Sequence, residues 1–181
     1  INWYPEHIKT GRFGNWLENN VDWALSRERY WGTPLNVWQC TECDNEMAIE
    51  SIAELKEYGK DVPDDIELHK PYIDEVKLVC SECKAEMERV EEVIDCWYDS
   101  GCAHTAQWHY PFENKKMLEK SMPVDYISEA IDQTRGWFYS LLVTGAFLYD
   151  VPTYKNCLCL ELGRGDDGQK MSKSRGNSTD P

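Results

Sequence analysis

The hydrophobic pattern in the last third of the chain predicts a strand, a helix and a second strand in succession. Residues 123–130, PVDYISEA, have the pattern of a short strand. Residues 132–150 follow as a helix, whose surface is almost continuously apolar from Trp137 to Leu148 and so predicts burial against a sheet. Residues 153–160, TYKNCLCL, have the pattern of the next strand. A strand, helix and strand in this order favour a parallel sheet, so we predict an α/β fold.

The earlier part of the chain is less regular. Residues 15–31 combine good helix formers with spaced apolar positions and predict a helix that leads into a strand. Residues 36–94 hold most of the acidic side chains and predict an inserted module with a helix at 51–59. Residues 91–101 have the apolar character of a strand, and 102–120 predict an irregular stretch that ends in a helix.

Composition excludes several classes of protein. The 181 residues are 41% hydrophobic, which excludes a disordered chain, and carry a net charge of -14, which opposes a broad contact with nucleic acid or anionic membranes. The sequence shows no apolar run long enough for a membrane span and no signal peptide at its start. Because the chain begins without Met, we expect it to be part of a longer protein.

Two C-x-x-C pairs, Cys40 with Cys43 and Cys80 with Cys83, each follow a short extended stretch. Four thiolates at this spacing suit a tetrahedral structural Zn²⁺ site, with reduced cysteines or a disulfide as the alternatives. We expect the remaining cysteines to be small buried side chains in a reducing cytoplasm. These remaining cysteines are Cys96, Cys102, Cys157 and Cys159.

Basic residues cluster at the end of this acidic chain, where Lys170, Lys173 and Arg175 fall within six residues of the loop 168–177. Glycines let such a loop bend closely around a ligand, and serine hydroxyls donate to phosphate oxygens. These residues are Gly168, Ser172, Ser174 and Gly176. The pattern fits a polyphosphate site, while composition alone favours a solvated basic turn. In a parallel sheet we expect this loop to neighbour the turn at 126–133, at the carboxyl ends of the strands.

Residues 170–174 read KMSKS, and this motif resembles the signature loop of the class I aminoacyl-tRNA synthetases. The stretches LSRERYWGTPLNVW, DCWYDSG and SEAIDQTRGWF occur in the order and approximate spacing of that family, and DQTRGWF resembles its isoleucyl branch. The resemblance implies the second half of a Rossmann-like parallel-sheet catalytic domain with a small zinc-ribbon-like insertion. The implied segments are 1–35, a connection returning from an editing domain, 36–94, the zinc-binding module, and 95–181, the second half of the catalytic domain.

The resemblance also implies an activity. Class I synthetases of this branch activate isoleucine with ATP and Mg²⁺ to isoleucyl-adenylate and transfer the acyl group to tRNA(Ile), without an enzyme nucleophile. Catalysis then comes from positioning and from stabilising the charge that develops as pyrophosphate leaves. By resemblance we expect the whole protein to be a cytoplasmic monomer with no membrane partner.

Site residues follow from the same resemblance. Lys173, assisted by Lys170, matches the lysine that meets the developing phosphate charge. The residues that match the adenylate-binding turn are Glu129, Asp132 and Gln133, which would otherwise be ordinary residues capping a helix. Trp97 and Trp137 match aromatic positions of the isoleucine pocket, where the alternative is two core tryptophans. Such an apolar pocket discriminates poorly against valine, so the family adds an editing domain.

The chain departs from the family pattern at several positions. None of its four histidines stands in the H-x-G-H signature of the first half of the catalytic domain, so we expect residues 1–181 alone to be inactive. Ala130 and Glu161 stand where the family usually has glycine, and Arg164 where it has an apolar residue.

Three other interpretations remain open at this point. The chain fits a stand-alone zinc-binding interaction module that shares motifs with synthetases, or a part of a valyl-tRNA synthetase. A secreted protein with disulfides is the third.

Overall fold

The computed structural model describes residues 1–166 and 168–177. The chain divides into two compact units. The first, which we call the parallel-sheet unit, comprises Ile1–Asp22 and Ser100–Pro181, and the second, which we call the cysteine unit, comprises Trp23–Asp99.

Strands and helices are numbered in chain order. The strands of the described residues are β1 Asn2–Tyr4, β2 Ser26–Arg27, β3 Val37–Cys40, β4 Glu46–Ala48, β5 Leu78–Val79, β6 Glu86–Arg89, β7 Val93–Ile94, β8 Val124–Ala130 and β9 Tyr154–Leu160. The α-helices of the same part of the chain are α1 Gly14–Glu18, α2 Ile52–Tyr58, α3 Cys96–Gly101, α4 Ala103–Ala106, α5 Lys115–Ser121 and α6 Trp137–Tyr149. The described residues also contain a π-helical segment at Lys9–Phe13. Short 3₁₀ helices occur at Tyr72–Glu75, Ile131–Arg135 and Lys173–Arg175. Over 1–166 and 168–177, none of the helices has both the length and the apolar character that a membrane crossing requires.

The parallel-sheet unit is built on a three-stranded sheet in the order β1, β9, β8. Both pairings are parallel. Cys157 on the central strand β9 lies opposite Trp3 of β1 on one side and opposite Ile127 of β8 on the other. The strands predicted at 123–130 and 153–160 are confirmed, as is their parallel arrangement. Because the side chains of a strand alternate between faces, Trp3, Ile127 and Cys157 lie on one face, and all three are buried.

Helix α6 covers this buried face. Phe138 and Leu141 pack into the core that contains Trp3 and Tyr154, and the Tyr154 hydroxyl donates to the Phe138 carbonyl at 2.9 Å. The predicted apolar helix is therefore confirmed, although a 3₁₀ turn precedes it and the helix begins only at Trp137. The prediction of burial as far as Leu148 is wrong, because Phe147 and Leu148 at the last turn are exposed.

The opposite face of the sheet carries exposed apolar side chains within this unit, together with polar ones such as Asn156. It carries Tyr4, Tyr126, Leu158 and Leu160, which the register places on the same side. Parallel sheets in α/β proteins are normally covered on both faces, since an uncovered apolar face leaves hydrophobic area in water.

The cysteine unit contains a four-stranded antiparallel sheet in the order β4, β3, β6, β5. Its core joins the sheet to α2 through buried side chains, with Trp38, Leu55, Leu78 and Met87 among them. Helix α2 confirms the helix predicted at 51–59. It begins where the sequence indicates, because the Ser51 hydroxyl accepts from the Glu54 N–H at 3.2 Å as an N-cap.

The helix predicted over 15–31 is wrong beyond Glu18. Asn19 follows α1, and its side-chain amide donates to the Asn15 carbonyl at 2.8 Å, which satisfies one of the carbonyls at the helix end. Within the cysteine unit, the Trp23 indole N–H and the Arg27 guanidinium bond the Asp95 carboxylate at 2.8 and 2.6 Å. Tertiary partners, rather than helix propensity, decide the conformation of this stretch.

The strand predicted over 91–101 is confirmed only at Val93–Ile94. Asp95 then ends the extended segment, because its side chain accepts from the Trp97 N–H at 3.3 Å and its carbonyl from the Tyr98 N–H at 2.8 Å. This is the geometry of a residue that starts a helix, and α3 begins at Cys96.

Buried Arg89 ties the cysteine unit together. Its guanidinium is 1% exposed and donates to Asp74 at 2.6 Å and to the carbonyls of Leu35 and Glu92 at 3.1 and 3.0 Å. We predict that Arg89→Met lowers the free energy of unfolding by about 3 kcal/mol, because three partly buried acceptors lose the same buried donor together. Urea denaturation monitored by tryptophan fluorescence measures this change.

The control for this prediction is Lys60→Met. Lys60 pairs with Glu86 at 3.5 Å on the surface of the same unit, and losing an exposed pair costs about 1 kcal/mol or less. Equal effects of the two substitutions would contradict the proposed importance of Arg89.

A buried histidine generates a second prediction. His104 donates or accepts through both ring nitrogens, with Thr105 at 2.6 Å and Thr144 at 3.1 Å, and its ring lies edge-on to Tyr149. Burial lowers the pKa of His104 below 6.5, so the unfolded chain binds the proton more readily than the folded one. The free energy of unfolding therefore falls as the pH falls below about 6.5, the ordinary pKa of histidine.

Denaturation at a series of pH values measures this slope. His104→Gln should flatten it, while the exposed His109→Gln should leave it unchanged. If the free energy of unfolding of His104→Gln depends on pH as steeply as that of the unchanged protein, other groups cause the pH dependence.

Candidate adenylate and metal sites

The four paired cysteines lie together in the cysteine unit. Cys40 ends β3 and Cys80 follows β5, and each begins a tight turn in which its own N–H donates to a carbonyl five residues later. Strands β3 and β6 are antiparallel neighbours, with Cys40 opposite Met87, and this pairing places the two turns side by side. Lys84 completes the second turn with a positive φ of 66°.

Sulfur atoms from the two turns interleave. The four Sγ atoms lie within 4.8 Å of one another, Cys40 is 3.4 Å from Cys83, and Cys43 is 3.8 Å from Cys80. A disulfide needs about 2.05 Å between sulfurs, so these distances exclude one, and all eight cysteines of the chain are free thiols. The secreted disulfide protein is therefore not supported. Four convergent sulfurs are the donor set of a closed structural Zn²⁺ site.

Polar groups around the sulfurs favour the thiolate at one position. The backbone N–H of Cys83 points at Cys80 and, with the Asn45 amide at 3.4 Å, lowers the pKa of Cys80 to about 6. A hydrogen bond from the Glu42 N–H reaches Cys40 at 3.4 Å. Donors that surround metal-binding sulfurs orient them and stabilise their charge.

The other cysteines differ from one another. Cys157 and Cys159 are buried on β9, as predicted, and burial raises the pKa of Cys157 to about 12. Cys102 is half-buried, and the expectation of burial is wrong for Cys96, which is exposed at the start of α3.

The predicted adenylate segment lies at the carboxyl end of β8. Glu129 is exposed on the strand opposite Cys159, and Ala130 is its last residue, opposite Leu160. Ala130 has an extended backbone, with φ -74° and ψ 162°, so this position does not require glycine for its conformation.

Asp132 and Gln133 follow in the 3₁₀ turn. Asp132 is exposed and accepts from the Gln133 amide at 3.3 Å. The Gln133 side-chain oxygen accepts from the Trp137 N–H at 2.9 Å and so caps α6. The interpretation as capping residues is therefore correct for Gln133, and this role also fixes the position of its side chain.

The basic loop follows the neighbouring strand, β9. Lys170 is exposed and its backbone pairs with Arg164 in an isolated antiparallel bridge. Strand β9 ends at Leu160, before the unusual Glu161, and we have no physical account of Glu161 or Arg164 at their positions. The side chain of Lys173 and residue 167 lie outside the described part of the structure, so the predicted role of Lys173 stays a prediction.

Glycines and a side-chain amide shape the loop. Gly168 and Gly176 have φ of +70° and +68°, the left-handed region that favours glycine. The Asn177 side chain accepts from the Ser172 N–H at 2.9 Å and donates to the Lys170 carbonyl at 3.4 Å. The signature segment is therefore closed on itself by local hydrogen bonds.

The two tryptophans predicted for the amino-acid pocket belong to different units. Trp97 lies on α3 in the cysteine unit and is 42% exposed. Trp137 begins α6 in the parallel-sheet unit, is half-buried, and donates through its indole N–H to the Ser100 carbonyl at 3.0 Å. Neither is a fully buried core residue.

Sequence reasoning missed Arg12, which reaches the adenylate segment from the start of the chain. Its Nε donates to the Thr134 hydroxyl at 2.9 Å. Because 122 residues separate the two, no local pattern signals this contact.

Comparisons with known proteins agree with this geometry. A family model described as tRNA synthetases class I (I, L, M and V) matches residues 1–181. Proteins named isoleucine–tRNA ligase from Clostridium tetani and Clostridium novyi are 59% and 60% identical to the chain over 181 residues. A protein named isoleucine–tRNA ligase 2 from Bacillus cereus is 56% identical over 182 residues. Each of these matches covers 100% of the chain, which spans 17 to 18% of the length of these relatives.

A solved structure shares the fold. The LeuRS of Agrobacterium radiobacter, crystallised in a ternary complex with tRNA and LeuAMS, superposes with a TM-score of 0.62 at 20% identity, over 98% of this chain and 25% of that one. This similarity confirms the predicted α/β class of the fold. Because the family model matches from the first residue to the last, the chain belongs to the class I tRNA synthetases.

Proposed function

We propose that the protein containing this chain is an isoleucine–tRNA ligase. It activates isoleucine with ATP and Mg²⁺ and transfers the isoleucyl group to tRNA(Ile). Relatives named for this activity are 56 to 60% identical over the whole chain, which supports isoleucine over valine as the substrate.

The observation that carries the proposal is the parallel pairing of β8 with β9. Their last residues, Ala130 and Leu160, lie opposite each other. The turn with Asp132 and the segment that leads to Lys170 therefore leave the sheet at one edge. Ligands of open parallel sheets bind at this edge, beyond the carboxyl ends of the strands.

Each side of this edge has a separate proposed role. The exposed carboxylates of Glu129 and Asp132 suit the ammonium group of the amino acid and the hydroxyls of the ribose. Lys170 and Lys173 supply the positive charge that stabilises the transition state as the isoleucine carboxylate attacks the α-phosphate and pyrophosphate leaves. No enzyme nucleophile takes part, so positioning carries the remaining rate enhancement. Trp97 and Trp137 are proposed contacts of the isoleucine side chain.

The exposed apolar side chains on this face of the sheet fit a catalytic domain that another segment completes. We propose that residues 95–181 form the second half of that domain, and that a segment with the H-x-G-H signature, supplied elsewhere in the protein, covers this face. Residues 1–35 then connect to the editing domain. The proposed ligase is a cytoplasmic monomer, and a reducing compartment keeps the paired cysteines available as thiolates.

We further propose that residues 36–94 bind Zn²⁺ through Cys40, Cys43, Cys80 and Cys83. The four sulfurs leave no position for a reacting water, so the ion is structural. It links two turns that are 40 residues apart in sequence and that also meet through strand pairing and the Asn45 side chain.

The zinc proposal predicts about one Zn²⁺ per chain in protein purified without added metal, measured by elemental analysis. Cys80→Ser should lose the ion and lower the melting temperature, because metal binding and folding of the unit are coupled. The matched control is Cys96→Ser, since Cys96 is exposed and outside the cluster. A metal-free protein with an unchanged melting temperature would contradict the proposal.

The activity proposal predicts that the full-length protein catalyses isoleucine-dependent exchange of pyrophosphate into ATP. Lys173→Ala should lower the exchange rate by roughly 10²-fold, because a charge contact to the transition state is lost. Lys155→Ala is the control, since Lys155 pairs with Asp125 at the opposite end of β9.

The chain of residues 1–181 alone should show no exchange. Exchange by that chain, or full activity of Lys173→Ala, would count against the assignment.

A further inference from the structure

Arg12 joins the start of the chain to the proposed adenylate turn. It lies in the π-helix Lys9–Phe13, and its guanidinium Nε donates to the Thr134 hydroxyl at 2.9 Å. Thr134 is 0% exposed, whereas Arg12 is on the surface. The segment is kinked rather than regularly helical, because Gly11 has φ -82° and ψ -107°.

The polarity of this contact is fixed by a second hydrogen bond. The Thr134 hydroxyl donates its only proton to the Ile131 carbonyl at 2.7 Å. Its lone pairs are then left to accept, and the Arg12 N–H fills this role. Without Arg12, a fully buried hydroxyl would lose its donor.

The bond holds the turn that carries the proposed substrate contacts. Ile131 and Thr134 are the first and fourth residues of the turn, and Asp132 and Gln133 lie between them. The Gln133 side-chain oxygen accepts from the Trp137 N–H, and the Gln133 side-chain amide donates to the Asp132 carboxylate. The hydrogen bond from Arg12 therefore supports the turn from outside the β8–α6 segment.

The charge of Arg12 also acts on the end of strand β9. Burial is the main cause that raises the pKa of the Cys159 thiol on β9, followed by the charge of Glu161. Arg12 lowers this pKa and Asp132 raises it. The charges of all three groups therefore act on the same thiol near the end of β9.

We propose that Arg12 is a positioning residue for adenylate formation. Through its hydrogen bond to Thr134 it keeps Asp132 and Gln133 where the amino acid and ribose bind. The inference rests on the proposed function, since it assigns to Arg12 the support of that same site. A group that holds a substrate-binding turn acts equally on the bound substrate and the transition state, so its loss changes KM more than kcat.

The test is pyrophosphate exchange by the full-length protein with saturating ATP and varied isoleucine. Arg12→Met and Thr134→Val should each raise the KM for isoleucine by about tenfold while kcat changes by less than about threefold. The double variant should resemble each single one, because both substitutions break the same bond. Thr134→Ser keeps the hydroxyl and should restore a near-normal KM.

Lys9→Met is the matched control for charge. Lys9 lies in the same π-helix and is exposed, so its loss removes a positive charge without touching Thr134. Melting temperatures of all variants separate a loss of fold from a loss of positioning.

Three outcomes would count against the inference. A wild-type protein without isoleucine-dependent exchange would overturn the proposed function, and the inference with it. An active wild type with an unchanged KM in Arg12→Met and Thr134→Val would overturn the inference alone, even if their melting temperatures fell. Additive effects in the double variant would show that the two residues act separately and would also overturn it.

Discussion

Backbone hydrogen bonds join β8 to β9 in parallel register, from Val124 opposite Tyr154 to Ala130 opposite Leu160. A parallel pair cannot be closed by a short turn, so a helix must cross over between the strands. Helix α6 makes this crossing and buries Phe138 and Leu141 on one face of the sheet. The same pairing brings the carboxyl ends of both strands to one edge. The position of the candidate site follows from this geometry before any of its side chains is considered.

The cysteine unit meets a different constraint. Its core side chains, such as Trp38, Leu78 and Met87, hold the antiparallel strands together, but the two sulfur-bearing turns project beyond them. Four sulfurs within 4.8 Å repel one another once they ionise, unless a cation neutralises them. Strand pairing can thus bring the turns together, while a bound Zn²⁺ would be needed to keep them together as thiolates.

The sequence predicted those parts of the fold that depend on local pattern. Strands β8 and β9, helix α6 and the paired cysteines all have a period, a cap or a spacing that is visible in a few residues. The helix predicted over 15–31 is wrong beyond Glu18, and the strand predicted over 91–101 is confirmed only at Val93–Ile94. Contacts of one buried carboxylate, Asp95, contribute to both departures. It binds Trp23 and Arg27 and also starts α3. Contacts over about 70 residues leave no periodic trace in the sequence.

The candidate site shows the same division. Lys170, Asp132 and Gln133 were found through contiguous motifs, whereas Arg12 contacts its partner across 122 residues and no motif contains both. Propensity and spacing are properties of short windows. Support for a turn by a distant side chain is a property of the folded chain, and it becomes visible only in three dimensions.

Two sides of the proposed site are held in different ways. The turn with Asp132 is fixed by Arg12 from another segment and by the cap of α6. The loop with Lys170 is closed by the Asn177 side chain and is joined by backbone hydrogen bonds to residues 163–165, which shortly precede it. Hydrogen bonds within a loop are retained when the loop moves as a unit. Hydrogen bonds to a different segment hold a group in place relative to the sheet. Recognition of the amino acid needs fixed geometry, and charge stabilisation of a leaving pyrophosphate is needed only once the substrates are bound. The distribution of hydrogen bonds matches this difference, because the turn that is anchored to another segment is the one proposed to hold the amino acid and ribose.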